Sequence, residues 1–503
     1  MSNYNFDVLQ NGSDIRGVAM EGVPGESINL DETAVQRLAK GFLYWLTSDT
    51  KKSASDMTIT IGRDSRLSGE SIAETFAESL RPYGVKIIDC GLASTPAMFM
   101  STVFPEFNAD GAVMITASHL PFNRNGLKFF SRKGGVDKGD ITDMIVFAES
   151  DYILNNLMPA GAKPPEQGNL MEAYSAHLRK LILDGVGNDA PLTGLKIAVD
   201  AGNGAGGFYA TRVLEPLGAD ISASQFLEPD GHFPNHAPNP ENEEAMIALT
   251  KTVTANKCDL GLIFDTDVDR SSAVDEQGRE INRNGIVAMA AALIADKYPG
   301  TTVVTDSITS DELTEYLEGK LGLKHLRFKR GYRNVINKSI ELNDAGTDSQ
   351  LAIETSGHAA YKDNYFLDDG AFLATRIVIR AALLHAQGQN ISSVIADLVE
   401  PCEAQEKRFS VKAADFAAYA GKVLDDLEVY VANGKMPGAT LVKPNYEGVR
   451  VKFAGDVSGW FLLRKSLHDP LMPINIESNH DGDCEKIFAL VKPFLSQYDE
   501  LDV

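Results

Sequence analysis

The chain has 503 residues, 44% of them hydrophobic, which is ample for about three to four domains with buried cores. Its 70 acidic against 47 basic side chains give a formal net charge of −23, which excludes a protein that wraps nucleic acid or an anionic membrane over most of its exterior. Cys90, Cys258, Cys402 and Cys484 stand far apart, with no spacing for a zinc site or a redox pair, as in a reducing compartment. The start lacks a basic and then apolar leader, and the longest apolar stretch, residues 286–295, is too short to span a bilayer. A cytoplasmic location is expected.

From the N-terminus, a unit of buried strand followed by polar loop comes first at Ile59-Thr60-Ile61-Gly62-Arg63-Asp64. Residues 111–115 read as another buried strand and end abruptly in Thr116-Ala117-Ser118-His119-Leu120-Pro121. Ligands of doubly wound sheets collect beyond the carboxyl ends of strands, so Ser118 is placed where a serine can accept or bind a phosphoryl group. Taken alone, the segment also reads as a turn with a capping serine. Pro121 and Asn125-Gly126 predict that the chain beyond Ser118 is a shaped loop, not a helix.

Residues 184–194 carry Gly and Pro and mark a boundary, after which the strand-and-loop unit returns at Ile197-Ala198-Val199-Asp200-Ala201-Gly202. The apolar run Leu260-Gly261-Leu262-Ile263-Phe264 leads into Asp265, Asp267, Asp269 and Arg270. Three carboxylates so close repel one another unless a hard divalent cation, Mg2+ or a similar ion, sits among them; the alternative is a solvated acidic turn. Tyr298-Pro299-Gly300 marks a second boundary, and Val303-Val304-Thr305-Asp306-Ser307 opens a third unit.

Leu351-Ala352-Ile353 is followed by Glu354-Thr355-Ser356-Gly357-His358, a carboxylate, hydroxyls and an imidazole suited to bonding neighbouring sugar hydroxyls, with Gly357 letting the backbone come close. After about residue 401 the pattern changes, and a smaller unit carries Arg464-Lys465-Ser466-Leu467-His468-Asp469-Pro470 behind the run Gly459-Trp460-Phe461-Leu462-Leu463. A guanidinium, an ammonium and a hydroxyl in consecutive positions suit a phosphate, although an ordinary basic turn looks the same. The recurrence predicts three related doubly wound α/β domains, residues 1–190, 191–299 and 300–405, plus a smaller C-terminal α+β domain, residues 406–503, around a central cleft. The end domain is expected to hinge over substrate.

In this order the four loops resemble the active-site loops of the α-D-phosphohexomutase superfamily, the phosphomannomutases and phosphoglucomutases, and the resemblance runs nearly the full length. Further matches are Asn11-Gly12-Ser13-Asp14-Ile15-Arg16-Gly17, Gly62-Arg63-Asp64-Ser65-Arg66, Asp200-Ala201-Gly202-Asn203-Gly204-Ala205-Gly206, and residues 229–236 with Pro238-Asn239-Pro240. Three departures fall in functional loops. Leu120 replaces the usual Asn after the Ser-His pair, Val268 replaces Gly in the metal loop, and Leu467-His468-Asp469 replaces Gly-Thr-Glu. Phe328-Lys329-Arg330-Gly331-Tyr332-Arg333 is more basic than the usual Thr-x-Val-Gly-x-Lys and could offset the altered phosphate loop.

The resemblance implies intramolecular phosphoryl transfer between the 1 and 6 positions of a hexose phosphate, mannose or glucose. It would proceed through phosphoserine at Ser118 and a hexose 1,6-bisphosphate, which also serves as activator after accidental hydrolysis. Mg2+ would be held by Ser118, Asp265, Asp267 and Asp269, the sugar by Glu354, Ser356 and His358, and the distal phosphate by Arg464, Lys465 and Ser466. Arg270 would orient the phosphoserine or sugar. Lys128 or His119 would carry the proton, with Arg16 or His358 as alternatives and Arg16 better suited to stabilising charge. The expected partner is a small phosphosugar, with no nucleic acid and no membrane. A noncatalytic phosphosugar-binding or scaffold protein, a mutase for glucosamine or N-acetylglucosamine phosphate, and a phosphatase are the other readings.

Overall fold

The computed structural model describes residues 5–466 and 469–503. Leu467 and His468, part of the altered phosphate loop, lie outside the described residues. The chain divides into two compact units, Met1–Ile294 with Ser356–Ala396, and Ala295–Thr355 with Asp397–Val503.

The first unit holds two sheets, and apolar sequence explains where their strands lie. Gly111–Ile115 is buried along its whole length because it lies inside its sheet, parallel to Thr58–Arg63 on one side. On its other side it runs antiparallel to Arg124–Ser131, which in turn pairs antiparallel with Asp14–Val18. The segment expected as a loop around Asn125-Gly126 is thus a strand. Gly126 permits it: a Cβ there would lie 2.2 Å from the Ile15 carbonyl oxygen, and Asn125 satisfies its amide on Ser68 Oγ at 2.9 Å.

Helix Glu32–Thr50 starts where the Asp31 carboxylate accepts from Ala34 N, and it ends at Lys51 in the left-handed region. Its stripe of Val35, Leu38, Phe42 and Leu46 enters the core, where Phe42 stacks on Phe129 with ring centroids 4.7 Å apart.

In the second sheet Ile197–Asp200 and Leu260–Phe264 run parallel, while Leu260–Phe264 forms an antiparallel hairpin with Ser271–Asp275. The sheets are therefore α/β in setting and mixed in strand direction. Because Phe264 pairs with Ser271, residues 265–270 form the loop that closes this hairpin. The carboxylate cluster is held at both ends by buried strands.

In the second unit, Thr302–Thr305 lies between the parallel strands Lys324–Arg327 and Leu351–Ile353. The C-terminal part is an antiparallel sheet in the order Glu403–Ser410, Leu471–Ser478, Gly459–Leu463, Val449–Phe453 and Ala439–Leu441. It carries its own core of Val423, Leu427, Phe461, Ile474, Ile487 and Val491, to which helices Phe416–Ala432 and Asp483–Leu495 contribute. Arg450 ties this part to the Thr302–Thr305 region. Its guanidinium lies 3.6 Å from the Trp460 ring centroid and donates to the carbonyls of Ser307 and Thr309 and to Asp311. That buried cation adds an ionic anchor between parts expected to hinge. Among the described residues, no helix is long and apolar enough to cross a membrane.

Candidate active site

Ser118 follows strand Gly111–Ile115 in a left-handed conformation, φ 50°, with its N–H donating to Thr116 Oγ1 at 2.9 Å. Such a backbone costs a non-glycine residue about 1–3 kcal/mol and persists only if neighbours enforce it. Arg66 is the enforcer. Its guanidinium is fully buried and donates to the carbonyls of Ser118, Leu120, Pro121 and Arg124, the last two at 2.8 and 2.9 Å. Asp64 holds Arg66 in turn, accepting from its backbone N–H at 2.9 Å and lying 3.4 Å from Nε. Burial pushes the Asp64 carboxyl up to about 6, against the pull of Arg66.

The Ser118 hydroxyl sits 3.0 Å from Asp265 Oδ2 and accepts from Arg270 Nη2 at 3.0 Å. Asp265, Asp267 and Asp269 are buried, and one ligand atom from each lies within 4.8 Å of the others. Asp267 Oδ1 and Asp269 Oδ1 are buried oxygens with no hydrogen-bond partner among the described residues. Orphaned carboxylate oxygens are costly in a protein interior and are the hard donors a divalent cation takes. The residues fit a metal. Burial and the charge of Asp269 raise the proton affinity of Asp265, whereas Lys128, His358 and Arg270 overcome burial at Asp269 and hold it ionised.

Val268 stands in this loop at φ 68°, fully buried, a strained setting for a β-branched residue and one where the family usually has glycine. Two contacts hold it. Gly370 N–H donates to the Val268 carbonyl at 3.1 Å, and Val268 N–H donates to the Asp265 carbonyl at 3.3 Å. Gly370 must be glycine for the contact to form, because a Cβ would lie 2.5 Å from the Arg270 carbonyl carbon.

The candidate proton carriers have different settings. Lys128 donates to Asp267 at 2.9 Å and to Asp269, so its ammonium lies against two carboxylates of the acidic cluster. His119 Nδ1 lies 2.7 Å from Arg270 Nη2; a guanidinium only donates, so the ring accepts there and is neutral. Desolvation, Arg270 and Arg16 push the ring down to about 2. The residue as a whole is exposed, so the donor-only guanidinium is the firmer reason for neutrality. His358 is the reverse case: although burial opposes its charge, Asp368 at 2.6 Å and Asp269 at 3.8 Å raise it to about 9. Arg16 pairs with Asp14 at 3.0 Å.

Ser118, His119, Lys128, Arg16, Asp265, Asp267, Asp269, Arg270, Ser356 and His358 all belong to the first unit, while Glu354, Arg464, Lys465 and Ser466 belong to the second. There Glu354 accepts from Gly331 N–H at 2.6 Å, at the start of helix Tyr332–Asp344. Arg464 is buried and Lys465 exposed, and Ser466 N–H donates to the Leu471 carbonyl at 2.9 Å. Burial and the nearby charge of Arg330 lower the proton affinity of Arg464, with Glu447 opposing. The Glu447 carboxylate also accepts from Arg330 N–H at 3.2 Å and from Ser307 Oγ.

Sequence reasoning assigned no role to Arg66, Asp368, Asn239 or Thr95. Arg66 lies in a family-like motif but carries no chemistry of its own. Asp368 sits ten positions beyond His358, and only the chain's return along strands Ala359–Tyr361 and Leu367–Asp368 brings it back. Asn239 accepts from Arg270 Nη1 at 3.1 Å, and Thr95 N–H donates to the Asp267 carbonyl at 2.8 Å.

Models of the phosphoglucomutase/phosphomannomutase alpha/beta/alpha domains I, II and III match residues 7–148, 172–278 and 282–402. The chain is similar to a phosphomannomutase/phosphoglucomutase of Pseudomonas aeruginosa, 26% identical over 488 residues and 96% of each chain. It is 30% identical over 440 residues to a phosphoglucomutase/phosphomannomutase of Thermococcus kodakarensis, covering 86% of this chain and 88% of that one. A phosphoglucosamine mutase of Clostridium kluyveri is 27% identical over 482 residues, 94% of this chain and 95% of that one. Among solved structures, a phosphoglucomutase/phosphomannomutase family protein from Burkholderia thailandensis aligns with a TM-score of 0.76 at 25% identity, covering 97% of this chain and 96% of that one.

Proposed function

Because the chain belongs to the phosphoglucomutase/phosphomannomutase family, we propose that it interconverts the 1- and 6-phosphates of a hexose, mannose or glucose, by way of phosphoserine at Ser118. The observation that carries this reading is the Ser118 hydroxyl 3.0 Å from both a carboxylate of the acidic cluster and the Arg270 guanidinium. Those are a nucleophile, a metal-ready carboxylate and a phosphate-orienting cation at one point.

In the forward step the bond between phosphorus and Ser118 Oγ breaks and one to the sugar hydroxyl forms, the hydroxyl proton passing to a side chain. Lys128 is the better carrier, since the Nδ1 of His119 already accepts from Arg270 and a second proton there would face that cation. Bound by Asp265, Asp267, Asp269 and Ser118, Mg2+ would neutralise charge on the moving group and, by occupying the carboxylates that Lys128 pairs with, turn that lysine's surroundings cationic. Arg16 stabilises charge, Glu354, Ser356 and His358 bind the sugar, and Arg464, Lys465 and Ser466 grip the distal phosphate. The bisphosphorylated sugar then turns over and returns its other phosphate to Ser118, and free hexose 1,6-bisphosphate restarts an enzyme that has lost its phosphate. The four domains proposed for this work are residues 1–190, 191–299, 300–405 and 406–503, in the cytoplasm.

Conversion of mannose, glucose and glucosamine 1-phosphates, assayed with Mg2+ and a trace of bisphosphate, tests the reading and names the sugar. Conversion of glucosamine phosphate alone would replace hexose with hexosamine. Binding of phosphosugars without conversion would favour a noncatalytic role, and release of free phosphate a phosphatase.

A further inference from the structure

Two family-like motifs, residues 200–206 and 229–240, hold none of the residues assigned a role in the proposed function, yet they meet directly behind them. Asp200 ends strand Ile197–Asp200 and is fully buried. His236 Nε2 lies 3.1 and 3.0 Å from the two Asp200 oxygens, and its Nδ1 lies 3.0 Å from the Ala237 carbonyl oxygen. Both ring nitrogens face only acceptors. Each must therefore donate, and a ring that donates from both nitrogens is an imidazolium.

The contacts continue from there to the reacting hydroxyl. The Ala237 carbonyl that accepts from His236 also accepts from Asn239 N–H at 2.8 Å. Pro238, between them, packs on Gly202, where a Cβ would lie 2.9 Å from Pro238 Cβ. The Asn239 side-chain oxygen accepts from Glu241 N–H at 3.0 Å and from Arg270 Nη1 at 3.1 Å, and the same guanidinium reaches Ser118 Oγ through Nη2 at 3.0 Å. On its other flank the 200–206 motif touches the metal loop: Ala205 N–H donates to the Thr266 carbonyl at 2.8 Å, and Gly204 has no room for a Cβ beside Thr266.

We propose that the buried His236–Asp200 ion pair is a positioning element for phosphoryl transfer, locking residues 236–241 so that Asn239 fixes the Arg270 guanidinium toward Ser118. His236 is a positioning residue and touches no reacting atom. The inference rests on the mutase reading only for the role of Arg270.

The lock depends on protonation. Burial works against the charge on His236, but the hydrogen bond and charge of Asp200, the Ala237 carbonyl and Glu244 raise its proton affinity above that of a free imidazole. The Phe226 ring packs against it with ring centroids 5.3 Å apart. A raised folded-state value means that the lock's stabilisation is complete below the unfolded value near 6.5 and is lost as pH rises through the folded value. Turnover should fall along that alkaline limb.

The test compares wild type with His236→Gln and Asn239→Ala. Both variants should lower kcat about 10- to 100-fold with KM changed less than about twofold, as expected when a guanidinium is misplaced by a fraction of an ångström. His236→Gln should lose the alkaline limb. Asn239→Ala removes the last link and leaves the His236–Asp200 contacts in place, so the His236 ring should titrate as in wild type. Unchanged kcat in Asn239→Ala, or an alkaline limb that survives in His236→Gln, would overturn the proposal. NMR titration of the His236 ring and the Arg270 Nε–H signal separates this from failure of the mutase reading. If wild type converts no hexose phosphate, an imidazole titrating above about 6.5 and an Arg270 signal displaced in both variants still support the lock. Titration at or below that value, or an unmoved Arg270 signal, overturns it.

Discussion

The surroundings of Ser118 and those of Arg464 handle charge in opposite ways. Around Ser118 each cation has a near carboxylate, Arg66 with Asp64, Lys128 with Asp267 and Asp269, Arg270 with Asp265, and the Ser118 carbonyl is itself clamped. Around Arg464 burial and the charge of Arg330 lower its proton affinity, Glu447, Glu406 and Asp306 oppose them, and Lys465 beside it is exposed. The first arrangement suits chemistry, which needs groups fixed before charge moves. The second suits the capture of an anion, whose arrival relieves the repulsion. On the proposed function, one region serves rate and the other affinity.

The contrast can be broken by substitution, and the largest effect belongs to the nucleophile. Ser118→Ala should lower turnover by at least about 10^3-fold while phosphosugar affinity, read by calorimetry, stays within a few-fold. Next is the clamp. Arg66→Ala strands the buried Asp64 and should lower stability by about 3–5 kcal/mol in chemical denaturation, with slower phosphorylation of Ser118 by hexose 1,6-bisphosphate. Gly370→Ala, pressing on the Arg270 backbone, should lower kcat about 10²-fold in steady-state kinetics and leave KM nearly unchanged. Arg464→Ala should do the reverse, raising KM about 10- to 100-fold, the worth of one charge-assisted contact, with kcat little altered. Val268→Gly should be smallest. Relief of about 1–2 kcal/mol of left-handed strain is offset by about 1.5–3 kcal/mol of lost burial, for a net change near 1 kcal/mol in a urea melt.

Much of this was legible in the residues. The four loops behind apolar runs were readable because a buried strand must be apolar and its polar end must be something else; Ser118 and the Asp265 loop stand where that rule puts them. What periodicity could not show was partnership over long sequence distance. Arg66 reads as one more charged residue until the fold lays the carbonyls of Ser118 to Arg124 across it. The strand Arg124–Ser131 was missed because Asn125-Gly126 carries a turn signal that the close approach of Ile15 overrides. The contacts of Lys128 with Asp267 and Asp269, 139 and 141 positions away, were likewise out of reach of any local pattern. Val268 was legible as a departure from glycine, but its positive φ, and the contact with Gly370 that accompanies it, were not.

The central claim is that Ser118 carries the phosphoryl group, and mass spectrometry after incubation with hexose 1,6-bisphosphate and Mg2+ tests it most directly. The account predicts one phosphoryl group per chain on Ser118, discharged by hexose monophosphate and absent from Ser118→Ala. Phosphate that fails to appear on Ser118 while hexose phosphates interconvert, or that appears on another residue in the variant, would contradict it.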